Sequence, residues 1–285
     1  MTFSIVARLG EAVGVAVASR FLAVGSVVPA ARLGVGAVAS QSFARVAYLE
    51  ELLDALAGGA TADDALAAAV AADEGRAHRQ LGVVGALGAA ATFTGAECLP
   101  WAGGRVGEGP DAAYAIQGNI LTGPEVVQEM ERAWLAAEGR SLPRRLLAAL
   151  LAGDAAGGDA RGRQSAALYA VAPGAGYDHC GVLADLRVDD HPEAPHELAR
   201  VHELHDLHFG GPEDVRPLEG AVAEEVARRL GALGRSGADT AVELEHWMGE
   251  VNLEMRHSPG CIDARVLTEL RSATPQVGPA DAPEA

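Results

Sequence analysis

Thr2-Phe3-Ser4-Ile5-Val6-Ala7, a break at Leu9-Gly10-Glu11, and Val13-Gly14-Val15-Ala16-Val17-Ala18 open the chain. β-Branched and apolar residues dominate both runs, which predicts two strands joined by a tight turn. The first begins at the terminus itself, and the second is the more buried. A strand that starts so early anchors an end of the chain that ordinarily frays.

Further along the chain, strands are predicted over 24–28 and 35–39, punctuated by Pro29 and Gly34. A helix over 45–56 follows, then a second from Thr61, an N-cap with Asp63 and Asp64 in its first turn. A hairpin is expected from 81–84 and 90–93 around Gly85-Ala86-Leu87-Gly88, and another short strand at 113–117. Gly123-Pro124-Glu125 opens a helix with Pro at its start, running to about 137; 142–152 is the next helix, and 165–171 and 182–188 are strands. This alternation of strands with helix pairs predicts an α+β domain layered around one core. From Pro195 the pattern becomes helical, over 195–208, 218–230, 240–251 and 262–270. The expected organisation is a main domain at 1–208, a small helical domain at 209–272 after the Gly210-Gly211-Pro212 linker, and a disordered tail at 273–285 rich in Pro, Ala and acids.

The chain of 285 residues carries a net charge of -17. That charge argues against nucleic acid and against anionic membranes as partners, and favours a small-molecule or peptide-like substrate. All 22 basic residues are Arg, so no side-chain amine is available as base, Schiff-base former or nucleophile. Cys98, Cys180 and Cys261 form no CxxC pair, which fits reduced thiols in a cytoplasmic protein. No basic segment precedes the apolar start, so a signal peptide is not expected, and no apolar run reaches bilayer-spanning length. No cofactor or metal is called for, and a homo-oligomer is compatible with so apolar a composition.

Removal of Met1 would leave Thr2 with a hydroxyl and a free α-amine on one residue. That amine titrates near neutrality and can accept the hydroxyl proton, directly or through water. In a Lys-free chain it is the one amine fit for that task.

Beyond this terminus the sequence resembles a known family. Thr2–Arg8 with 14–25, Gln80-Leu81-Gly82-Val83-Val84, Phe93-Thr94-Gly95-Ala96-Glu97-Cys98, Gln117-Gly118-Asn119-Ile120-Leu121, Gly157-Gly158-Asp159 with 161–165, and 185–191 are similar to blocks of the domain-of-unknown-function 1028 (DUF1028) family. The resemblance implies an N-terminal-nucleophile (Ntn) hydrolase-like fold, a four-layer αββα sandwich. The start is also similar to proteasome-type subunits, whose second strand ends in an acid-Ser-Arg segment; here it ends Ala18-Ser19-Arg20, without the acid and without the lysine those enzymes use. Leu9 stands where the family usually has Asp, and Ala30 where Trp often follows Pro. The segment 202–273, with Trp247, Asn252-Leu253-Glu254 and Arg256, resembles a peptidoglycan-binding module.

Several side chains are candidates for a site. Thr2 is the expected nucleophile and Asn119 an oxyanion donor, its alternative being a turn cap before Pro124. Ser19, Arg20, Thr94, Asp159, Arg161, Arg163 and Gln164 are the expected substrate-binding residues. Arg161 and Arg163, at two-residue spacing, are read as facing one way and clamping a carboxylate, against the alternative of an internal salt-bridge network. Glu97 is a further polar candidate, whereas packing explains Cys98 and Trp101. Asp185, Arg187 and Asp189 read as a solvated strand face. His202, His205 and His208 share a helix edge, and His202-Glu203-Leu204-His205 falls one residue short of HExxH. The leading expectation is an amidohydrolase acting through Thr2. A non-catalytic binding or assembly protein on the same scaffold is the alternative, and metal-dependent hydrolysis through 189–208 the weakest reading.

Overall fold

The structure, a computed structural model, describes residues 2–277 and is a mixed α+β protein built on antiparallel sheets that do not close into a barrel. Its elements are β1 (Thr2–Leu9), β2 (Ala12–Ser19), β3 (Pro29–Arg32), β4 (Gly36–Ser42), α1 (Ala47–Ala57), α2 (Ala62–Ala72), β5 (Arg79–Gly85), β6 (Ala90–Thr94), β7 (Gly103–Glu108) and β8 (Ala112–Asn119). There follow α3 (Glu125–Ala136), α4 (Leu142–Ala155), β9 (Ser165–Val171), β10 (Val182–Val188), α5 (Ala194–Phe209), β11 (Arg216–Pro217), α6 (Gly220–Ala232), α7 (Thr240–Glu250), β12 (Cys261–Ile262) and α8 (Ala264–Ala273). One compact unit ends at His202 and a second begins at Glu203, so the division falls inside α5 and not at the Gly210-Gly211-Pro212 linker.

In the first unit, β10-β9-β2-β1-β8-β7 form a six-stranded sheet and β3-β4-β5-β6 a four-stranded one. The strict alternation of a strand sorts the opening residues of β1. Phe3, Ile5 and Ala7 join a core with Trp134, Leu146 and Leu150 of α3 and α4. Val6 turns the other way and meets Ala37, Ala39 and Val84 of the four-stranded sheet. The outer face of that sheet, through Val38, Leu81 and Val83, packs on Tyr48, Leu52 and Leu66 of α1 and α2. Thr61 caps α2 as expected, its Oγ1 accepting the Asp64 amide at 3.1 Å.

The reading of the strands needs correction in two places. Residues 24–28 are not a strand: Ala23 adopts φ 52° and the chain winds through a 3₁₀ turn at Val24–Ser26. Val24 and Val28 are apolar because they fill the space between the sheets. The strand β7 was not anticipated, since Gly103-Gly104-Arg105-Val106-Gly107-Glu108 is glycine-rich and charged; it pairs with β8 alone, at the sheet edge.

The second unit gathers Val226, Leu230, Trp247, Met248, Val266 and Leu270 of α6, α7 and α8 around a short β11–β12 pair. Its charged interior is unusual. Arg256, wholly buried, donates to the carbonyls of Asp206, Leu207 and Gly211 and to Asp263 Oδ2 at 3.0 Å. Glu225 receives Arg271 and Arg229, each at 2.8 Å, and these, Arg271 above all, hold its carboxyl at about 2, well below the ordinary range. The expectation of a disordered tail from residue 273 fails at its start: Ala273 closes α8, and Thr274 is buried and accepts from Arg229 at 3.0 Å. The rest of that tail, 278–285, lies outside the described residues.

Candidate functional site

The interface between the two sheets changes character along its length. Val6, Val15 and Val84 make it aliphatic at one end. Toward the start of β1, the same faces carry Thr2, Ser4, Gln41, Gln80, Gln117 and Asn119, all nearly or fully buried. Buried amides are tolerable only when paired, and these are. Ser4 Oγ donates to Gln41 Oε1 at 2.7 Å, and Gln117 Nε2 donates to Ser4 Oγ at 2.7 Å. Gln80 Oε1 accepts from Gln41 Nε2 at 2.8 Å and Asn119 Nδ2 at 2.9 Å, while Gln80 Nε2 donates to the Gly118 carbonyl at 2.7 Å and to Thr94 Oγ1 at 2.9 Å. Gly82 makes room for this assembly: a Cβ there would stand 2.3 Å from the Gln117 amide oxygen.

Thr2 sits at the polar end. The carbonyl of Thr2 accepts from Gln41 Nε2 at 3.3 Å and Asn119 Nδ2 at 3.5 Å, and Asn119 lies opposite Thr2 in the β1–β8 register. The Thr2 hydroxyl lies 3.1 Å from the Ser19 hydroxyl. Although Thr2 is only 6% exposed, it lines a cleft of about 410 Å³ with Phe21, Gln41, Ser42, Phe43, Arg79 and Arg161. Phe21 and Phe43 are more than half exposed on its rim. Ser42 holds φ 71°, a left-handed conformation uncommon for Ser and of the kind that clusters at ligand sites. Arg79 is braced by Asp73 at 2.9 Å, and Asp73 is driven far below the usual carboxylate range by Arg79 first and by the Tyr48 hydroxyl second. Tyr48 is pushed up to about 12, by burial first and then by Asp73.

The other sequence candidates divide around this cleft. Asp159 is buried and organises the loop: Oδ2 accepts the Arg20 amide at 2.7 Å and Oδ1 the Arg161 amide at 2.9 Å. Arg20 Nη1 in turn donates to the Arg161 carbonyl at 2.7 Å. Arg161 and Arg163 do not face one way. Their loop precedes β9 and Gly162 has φ 102°, so strand alternation does not apply. Arg161 reaches the Thr2 cleft, whereas Arg163 pairs with Asp154 at 2.7 Å and Glu193 at 2.8 Å, the salt-bridge alternative. Gln164 donates its backbone amide to the Ser19 carbonyl at 3.2 Å and its side chain to Asp190. Thr94 stands behind Gln80, and Glu97 pairs with His78 at 2.8 Å on the surface.

Asn119 spends its side-chain donors on Gln80 Oε1 and the Thr2 carbonyl. Asp185 and Arg187 are exposed, as a solvated face requires. His202 is buried, His205 lies against Phe209, and His208 bonds the Asn252 carbonyl. Among the described residues no group of three His, Cys, Asp or Glu side chains gathers as a metal site, and no helix is long and apolar enough to cross a membrane. Met1, whose removal the Thr2 reading requires, lies outside the described residues.

Sequence reasoning missed Gln41, Gln80 and Gln117. The available signal was a glutamine at the end of an otherwise apolar strand, three times over.

Fold and site together define an α+β protein of facing antiparallel sheets, with a hydroxyl pair and an arginine at one end of their interface. A model of the family of unknown function DUF1028 matches residues 2–198, and the chain belongs to that family. It is also similar to the crystal structure of protein SPO2555 from Silicibacter pomeroyi, of the same family, at 31% identity and a TM-score of 0.63, covering 78% of this chain and 92% of that one. No curated protein matches the chain.

Proposed function

We propose that the protein is an Ntn-type amidohydrolase on a four-layer αββα scaffold, with Thr2 as nucleophile once residue 1 has been cleaved. In this reading Thr2 Oγ attacks the carbonyl carbon of a small amide or peptide-like substrate while its own α-amine accepts the hydroxyl proton. Collapse of the tetrahedral adduct breaks the C–N bond, the proton leaves with the departing amine, and water hydrolyses the acyl ester. Arg161 holds a substrate carboxylate. Gln41 and Asn119 act as positioning residues that fix the Thr2 carbonyl.

The observation that carries this reading is the placement of Thr2 on a cleft wall, backed by a fully paired amide network and 3.1 Å from Ser19 Oγ. Catalytic geometry depends on such support. Two measurements test it. Intact mass is expected to show a chain starting at Thr2. Against an amide library, Thr2→Ala is expected to lower turnover by roughly a thousandfold or more while Thr2→Ser retains part of it. A retained Met1, or equal turnover in Thr2→Ala, sinks the proposal.

The second reading is a non-catalytic binding or assembly protein. It is favoured by the commitment of Asn119 to Gln80 and Thr2, which leaves the oxyanion role to backbone amides. Under either reading, the resemblance of 202–273 to a peptidoglycan-binding module gives the helical unit an interaction role.

A further inference from the structure

A second cleft, of about 540 Å³, is lined by Ser19 and Arg20, with Phe3, Ala155, Pro192 and Pro195 as apolar walls. Asp154, in the last turn of α4, lines it. Its pair with Arg163 at 2.7 Å offsets the cost of an acid there only in part. A carboxylate opposes the negative end of the helix dipole, and this side chain is only 4% exposed.

The local pairing leaves part of that carboxylate unused. Asp154 Oδ1 accepts Arg163 Nε at 2.7 Å, but Oδ2 is buried without a hydrogen bond. The ring nitrogen of His196 lies 3.8 Å from Oδ2, beyond hydrogen-bond length. Arg163 is shared with Glu193, whose two oxygens take its Nη1 at 3.0 and 2.8 Å, so one guanidinium serves two carboxylates. The other charges on the wall are spoken for. Asp159 accepts from Arg20 and Arg161, and Arg20 donates to the Arg161 carbonyl. A buried acceptor without a partner, on a residue that lines a cleft, is the arrangement that receives a cationic donor.

We infer that this cleft binds a ligand bearing a primary ammonium group, held by Asp154 Oδ2, with a short aliphatic chain lying against Phe3, Pro192 and Pro195. The site needs neither the Thr2 hydroxyl nor hydrolysis.

The probe is n-butylammonium, with n-butanol and butyrate as matched controls, titrated into the full chain and followed by NMR. Butylammonium is expected to shift the amide resonances of Gly157 and Gly162, which line the cleft, and the carboxyl carbon of Asp154. The alcohol and the acid are expected to leave them in place. Asp154→Asn is expected to weaken the amine by roughly tenfold to a hundredfold. Thr2→Ala is expected to leave amine binding unchanged, so the outcome does not depend on whether the protein hydrolyses amides. Should Asp154→Asn fail to fold, the Asp154 carboxyl resonance of the unsubstituted protein decides alone. Equal shifts with butanol, an unmoved Asp154 carboxyl, or undiminished amine binding by Asp154→Asn overturns the inference.

Discussion

The two units solve the same problem, polar groups in the interior, with different chemistry. The first buries neutral amides: Gln41, Gln80, Gln117 and Asn119 satisfy one another and the strand carbonyls between two sheets. The second buries charge, with Arg256 on Asp263 and with Arg229 and Arg271 on Glu225. Amides do not titrate, so the first interior keeps its pairing over a wide pH range. A buried ion pair fails when one partner is neutralised or removed. The amide network beside Thr2 therefore supports a fixed geometry, while acid acts on the ion pairs, at Glu225 in the helical unit and at Asp73 in the first.

That contrast is most exposed to test at Arg256. Arg256→Met leaves the buried Asp263 without its guanidinium and removes a donor from the Leu207 and Gly211 carbonyls, and is expected to destabilise the helical unit by roughly 3–5 kcal/mol. Hydrogen exchange should place the loss in α6, α7 and α8 and spare β1 and β8. Gln80→Leu is the counterpart in the first unit. It leaves Asn119 Nδ2, Gln41 Nε2 and the Gly118 carbonyl short of partners, at about 2–3 kcal/mol in urea unfolding, and by an amount that stays constant between acid and neutral pH. A strong pH dependence there would contradict the comparison.

Glu225→Gln has the smallest expected effect, about 1–2 kcal/mol at neutral pH. Because folding lowers the Glu225 carboxyl from 4.5 to about 2, its contribution is complete above the unfolded value and fades as pH falls toward 2. The gap between the original protein and the Gln variant should therefore close on acidification, read as unfolding free energy against pH.

Much of the fold is legible in the residues. β9 and β10 fall where apolar runs predict them, at Ser165–Val171 and Val182–Val188, because no glycine or proline interrupts either. The failures have local causes. Val24 and Val28 share the apolar character of a strand without its extended backbone, and β7 shares the backbone without the character. For the site, Thr2, Ser19, Asp159 and Arg161 were readable because their chemistry is carried in short segments. The amide network was not, since Gln41, Gln80 and Gln117 come from three strands and acquire meaning only when two sheets face each other. Arg163 misled for a related reason: spacing by two predicts a shared face only where the chain is a strand.

The hollow left at Gly82 ties two distant positions into one. A side chain at residue 82 would meet the amide that Gln117 extends from the opposite sheet, so a change at one position moves the other. Enlarging the first demands shortening the second, and shortening the second withdraws the donor that holds Ser4. A missing methyl group thereby acts as a keyhole, admitting the amide through which one sheet grips the other.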